Sequence, residues 1–178
     1  MSCQRHNYLS SVRTVKATLK FLRDELIYDC ENYTFVEGDI AHTDDAHDTH
    51  AIFDVAQDGN EDICTRMFAL GHAECLEALY PFTKKPVVAD MVLDDTLQTV
   101  DEYVIELDLP TDFSQTSLLL IKELVHKYLV LRVLAEWLGI TKPQAATLYM
   151  EQLEQLRAKM RTAVQWRCKA LRIKQSLF

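Results

Sequence analysis

The chain has 178 residues, 48% of them apolar and 26% charged, and a net charge of -8. This composition suits a folded domain with a proper core and excludes a disordered chain, while the negative balance argues against a general nucleic-acid binder. The longest apolar run, YLVLRVLAEWLGI, is broken by Arg132 and Glu136 and falls short of the ~20 residues that a bilayer crossing needs, so no membrane association is expected. The opening MSCQRHNY lacks the apolar segment of a signal peptide, and the five cysteines (Cys3, Cys30, Cys64, Cys75, Cys168) are odd in number, dispersed and without a C-x-x-C pair. Both features predict a protein made in the cytoplasm with reduced, mostly buried thiols.

Charge is distributed unevenly. Asp24 to Asp62 holds thirteen acidic residues and no Lys or Arg; Arg157 to Phe178 holds seven basic residues and no acid. Opposite flanks of this kind suit packing between copies of one chain, although each can equally be a solvated face.

Val12, Val15, Leu19, Leu22 and Leu26 recur at steps of three and four, predicting a helix over about 9–31 that starts near Ser10 or Ser11. Over about 33–56 the helical period is lost, and YTFVEGDI and HAIFDV predict a small β insertion of two strands. Ile63, Met67, Leu70, Leu76 and Leu79 predict a helix over about 61–80, ended by Pro81. KPVVADMVL and DEYVIELDLP predict strands within about 87–109, the second with Tyr103, Ile105, Leu107 and Leu109 on one side. Two long helices follow, over about 114–138 and 142–172. Gly139 is the expected stop of the first, and Thr141 with Gln144 and Pro143 the expected start of the second. The fold class expected is therefore α+β and mainly α: a long-helix bundle in a single domain, with a small antiparallel β insertion and a long C-terminal helix.

HTDDAHDTH (residues 42–50) places His42, His47 and His50 among three aspartates. Zinc sites favour histidines four apart on a helix or alternating on a strand, and calcium loops need a glycine at the sharp turn; neither arrangement occurs here. The segment reads as a solvated loop. The four glycines lie too far apart for a phosphate-cradling loop, Gly71 in its helix is explained by close packing, and neighbouring carboxylates such as Asp94 and Asp95, or Asp101 and Glu102, would diverge on a strand. His126, among Leu124, Val125 and Tyr128, reads as a hydrogen-bonded core histidine. No catalytic, cofactor or metal residue is assigned.

The stretch LLLIKELVHKYLVLRVLAEWLGITKPQAATLYMEQLEQLRAKMRTAV resembles the C-terminal half of head-to-tail connector (adaptor, neck ring) proteins of tailed bacteriophages and prophages: an apolar helix, a short break, then a long helix containing Tyr and Leu. The resemblance covers about sixty residues. It implies a structural virion protein of the neck, made in the host bacterial cytoplasm, whose partners are copies of itself in a ring, the portal protein, other neck or tail proteins, and DNA passing through the lumen without sequence specificity. It also implies portal docking through the C-terminal segment, where Arg167, Lys169, Arg172 and Lys174 precede Leu177 and Phe178. A tail-terminator or tail-completion subunit, with a larger continuous sheet, and a metal-dependent enzyme using His42, His47 and His50 stand as alternatives.

Overall fold

In the computed structural model, residues 14–40, 55, 58–92 and 94–165 are described. In chain order they form strand β1 (Thr14–Leu22), helix α1 (Arg23–Ile40), a 3-10 turn (Asp58–Asn60), helix α2 (Glu61–Ala78), strand β2 (Glu102–Pro110), helix α3 (Gln115–Thr141) and helix α4 (Pro143–Gln165). The fold is mainly α with a small antiparallel sheet of two strands among the described residues.

β1 corrects the middle of the helix expected over about 9–31: residues 9–13 lie outside the described residues, Thr14–Leu22 is strand, and 23–31 is helical as the start of α1. Val15, Leu19 and Leu22 satisfy a helical stripe, but Val15, Ala17, Leu19 and Phe21 also alternate with Thr14, Lys16, Thr18 and Lys20. Only the second period gives a partner: these apolar positions stand opposite Leu109, Leu107, Ile105 and Tyr103 of β2. Pairing buries Leu19 and Phe21 with Tyr103, Ile105, Leu107 and Leu109, and leaves Leu22 exposed. The other face of the sheet carries charges, with Lys20 bonded to Glu102 at 2.8 Å and Lys85 to Glu106 at 2.9 Å. The Phe82 carbonyl accepts from Asp108 N–H at 2.9 Å, so Asp108 directs its backbone groups away from β1. By the alternation of an antiparallel ladder, Lys16, Thr18 and Lys20 then direct theirs to the outer edge of β1.

α1 corrects the strand expected from YTFVEGDI. Leu26, Cys30 and Thr34 are buried at steps of four, while Tyr28, Tyr33, Phe35 and Val36 lie outward. The thiol of Cys30 donates to the Val130 carbonyl at 3.8 Å, seating this face on α3, and Thr34 Oγ1 donates to the Glu31 carbonyl. Burial of one helical face thus outweighs the β preference of the aromatic and branched residues. HAIFDV lies outside the described residues apart from Val55, which is buried. The described residues of KPVVADMVL form no strand either: Pro86 has no N–H to give, and a turn closes with Met91 N–H on the Val88 carbonyl and Asp90 at φ 64°. Among the described residues of the segment 87–109, only those in Glu102–Pro110 are strand.

α3 is the spine, in contact with α1, α2 and α4. From Tyr128 to Leu138 it buries most of its circumference, including Leu129, Leu131, Val133, Leu134, Trp137 and Leu138. It does not stop at Gly139 but continues to Thr141, whose hydroxyl donates back to the Trp137 carbonyl at 3.1 Å instead of capping the next helix. The break falls at Lys142 (φ -145°, ψ 76°), because Pro143 disfavours the helical conformation in the residue before it. α4 returns along α3 with a narrow buried stripe of Ala146, Tyr149, Leu153, Leu156, Met160 and Val164. The part of the helix expected beyond Gln165 lies outside the described residues.

Candidate functional site

Between α2 and the segment leading into β2 lies a groove of about 610 Å³ lined by Arg66, His72, Asp94, Asp95, Gln98 and Glu102 among others. α2 supplies Arg66 and His72, nearly two turns apart. Neither aspartate stands on a strand, in contrast to the expectation: Asp94 Oδ1 accepts from the Thr96 N–H at 3.3 Å in a turn, and Asp95 reaches Arg66 at 3.6 Å while fully exposed. His72 Nε2 lies 3.0 Å from the Val104 carbonyl, an acceptor only, so Nε2 carries the proton that it donates there. Burial holds the imidazole below its ordinary pKa, opposed in part by that carbonyl. Its ring leans on Tyr103, with centroids 5.5 Å apart. These side chains can bind a polar group, but the histidine is committed to the sheet and the acids to turns and ion pairs. The groove was not legible in the sequence, since Arg66, His72 and Asp95 meet only when β2 returns to α2.

The other polar clusters hold helices together. Glu74 on α2 accepts from Tyr128 OH at 2.8 Å and Arg132 Nε at 3.1 Å, and Arg132 also meets Glu136 at 2.6 Å. Glu37 near the end of α1 accepts from Lys142 Nζ at 2.8 Å and Tyr149 OH at 3.1 Å. Arg157 of α4 reaches Glu77 of α2 at 2.9 Å. His126 is not a core residue but a half-buried one, stacked near Phe21 with Nε2 3.6 Å from Asp29 Oδ2.

Cys30, Cys64 and Cys75 are buried free thiols, as the sequence predicts. Burial pushes Cys64 up to about 11 and raises Cys30 and Cys75 further, so each is held as the protonated, weakly nucleophilic form. Arg23, beside Cys64, faces a cavity of about 240 Å³ also lined by Glu31 and Glu61; its Nη2 comes no nearer than 3.8 Å to Glu61. The three acids around that cavity, Asp24, Glu31 and Glu61, offset the guanidinium and disfavour an anion there.

Among the described residues no group of three or more His, Cys, Asp or Glu is placed to hold a metal ion. His42, His47 and His50 lie outside the described residues, and so do Arg167, Lys169, Arg172, Lys174, Leu177 and Phe178. No described helix is long and apolar enough to cross a membrane.

What the described surface does offer is apolar area. Ile140 at the α3–α4 corner is 71% exposed, Leu148 and Met150 stand out from α4, Leu119 and Leu120 from the start of α3, and Val87, Val88, Met91 and Val92 from the turn before β2. Contiguous exposed apolar groups mark surfaces that another protein covers. No protein-family model, curated protein or solved structure matches the chain.

Proposed function

We propose that the chain is a structural subunit of a tailed-phage virion, one of a ring of identical copies that connects the portal-bearing head to the tail. The observation that carries this reading is the α3–α4 hairpin: an apolar spine enclosed by its own chain, followed after a proline-set break by a long helix with one narrow buried stripe and exposed Leu148 and Met150. That arrangement agrees with the connector-like pattern of the same residues, and its exposed apolar positions suit neighbours in a ring. The two-stranded sheet of the described residues favours a connector over a tail-terminator subunit, for which a larger continuous sheet is the expectation.

In this reading the chain has a structural and not a catalytic role. Copies of itself are its lateral partners, the portal and other neck or tail proteins its axial ones, and DNA crosses the lumen without sequence readout. The basic C-terminal segment, with Arg167, Lys169, Arg172 and Lys174 ahead of Leu177 and Phe178, docks on the portal, its cations meeting an acidic or polar groove and its last aromatic filling a pocket.

The test is assembly. Light scattering, native mass measurement and electron microscopy of the purified chain, alone and with portal, are expected to show a closed ring and a portal complex. Deleting Gln175 to Phe178 is expected to leave subunit stability unchanged and abolish portal attachment. A chain that stays monomeric at all concentrations, ignores the portal and is absent from purified particles overturns the reading.

A further inference from the structure

The side of α1 turned away from α3 is anionic and apolar together. Placed by helical spacing opposite the buried Leu26, Cys30 and Thr34, it carries exposed Asp24, Glu25 and Glu31 interleaved with Tyr28, 61% exposed, and Val36, 54% exposed. Asp24, Glu25 and Glu31 form no ion pair among the described residues. The cations nearest to them are committed elsewhere: Arg23 is mostly enclosed with Nη2 3.8 Å from Glu61, His126 stands 3.6 Å from Asp29, and Lys142 holds Glu37. The sequence from Asp24 to Asp62 has thirteen acids and no Lys or Arg, so this flank supplies no cation of its own.

The opposite charge gathers at the far end of the α3–α4 hairpin. α4 carries Glu151 and Glu154 in its middle and no acid after them. Arg157 reaches Glu77, whereas Lys159 and Arg161 are exposed and form no ion pair among the described residues. From Arg157 to Phe178 the sequence has seven cations and no acid. Because α4 returns along α3, its last turns stand beside the first turns of α3, where Leu119 and Leu120 are exposed. On α3 itself Lys122 pairs with Glu123 at 3.3 Å, Lys127 adds an exposed cation, and the exposed acid Asp112 lies before the helix begins.

We propose that the outer face of α1 in one copy packs against the last turns of α4 and the first turns of α3 in a second copy, Lys159 and Arg161 meeting Glu25 and Glu31. Charge names the occupant: an acidic flank without cations and a basic flank without acids occur in the same chain, each beside exposed large apolar groups. The ring of Tyr28 offers a cation a further favourable surface. The two surfaces of one chain cannot meet, since α1 and α4 both lie on α3 and the α1 face in question points away from it. The contact is heterologous, so each copy keeps one surface of each kind for its neighbours, and such contacts close into rings when the rotation per step permits. The inference rests on the ring reading and names the lateral contact through which the ring forms.

The experiment is a charge exchange on the full chain, read by sedimentation. One variant carries Glu25→Lys and Glu31→Lys, a second Lys159→Glu and Arg161→Glu, and a third all four changes. The four positions are exposed, so thermal melting is expected to match the parent. Each pair of changes alone sets like charges against each other and is expected to weaken self-association by about tenfold or more. The fourfold variant restores opposite signs and is expected to recover most of that loss. If either pair alone leaves assembly as in the parent, or the fourfold variant associates no better than the pairs, this contact is wrong while the ring reading stands. If the unaltered chain never associates, with itself or in particles, both fall. Should a reversal disturb folding, the neutral changes Glu31→Gln and Arg161→Gln decide: each is expected to weaken association several-fold, and unchanged association overturns the contact.

Discussion

Lys142 Nζ and Glu37 Oε2 lie 2.8 Å apart, joining the end of α1 to the break between α3 and α4 across 105 residues of sequence. Both side chains are mostly enclosed, and Tyr149 OH donates to the other carboxylate oxygen of Glu37. The acid therefore satisfies a cation and a hydroxyl together. Glu37→Ala leaves both without a partner and is expected to cost about 2–3 kcal/mol of unfolding free energy in urea titration, well above a surface ion pair. A loss under ~0.5 kcal/mol would place this cluster among ornamental surface contacts.

The same cluster sets a dependence on pH. Burial first, and then the Glu37 carboxylate, push Tyr149 up to about 12 from its ordinary value near 10. A group whose pKa is raised in the folded state contributes stability below its unfolded value and loses it as pH climbs through the folded one. The contribution of Tyr149 is thus complete below pH ~10 and disappears between about 10 and 12. Denaturation followed across this window is expected to show a steeper loss in the parent than in Tyr149→Phe; parallel curves would contradict it.

Leu129 is fully buried, with Val125 and Val133 on either side of it along the same face of α3. A carboxylate there has no partner and costs several kcal/mol, so Leu129→Asp is expected to be insoluble or unfolded. The check is solubility and melting: a soluble variant with a cooperative transition would mean that α3 is not the spine.

Gly71 marks the close approach of α2 to α3. A Cβ built there lies 3.2 Å from Arg132 Cγ and 3.4 Å from Leu129 Cδ2. Gly71→Ala trades a helix-propensity gain of ~1 kcal/mol against this crowding and is expected to fall within about 1 kcal/mol of the parent. Gly71→Val adds branches that must displace Leu129 and is expected to destabilise by about 2 kcal/mol or more. Equal melting temperatures for the parent and the valine variant would show that the helices are not in tight contact at this point.

Three of the five thiols are buried, with pKa values raised by burial. Cys30, Cys64 and Cys75 are expected to resist an aromatic disulfide reagent at pH 8 and to react together on unfolding. Peptide mapping that finds any of the three labelled in the folded chain would contradict this packing.

The sequence determined the mainly helical class by itself, because the apolar period of α2, α3 and α4 is long enough to admit one reading, and Leu129 and its neighbours are identified by that period alone. Gly71 as a packing glycine and the reduced, buried thiols were legible for similarly local reasons. The N-terminal third was not. Val15, Leu19 and Leu22 fit a helix as well as a strand, and what chose the strand was β2, some ninety residues away, which pairs with β1 residue for residue from Thr14–Pro110 to Leu22–Glu102. In the same way Tyr33, Phe35 and Val36 favour a strand locally, yet Leu26, Cys30 and Thr34 made that segment helical once α3 was there to bury them. The groove at His72 is likewise a product of the tertiary structure: it depends on which distant residues the packing of β2 beside α2 brings together, and that energy resides in long-range contacts, not in any window of the chain.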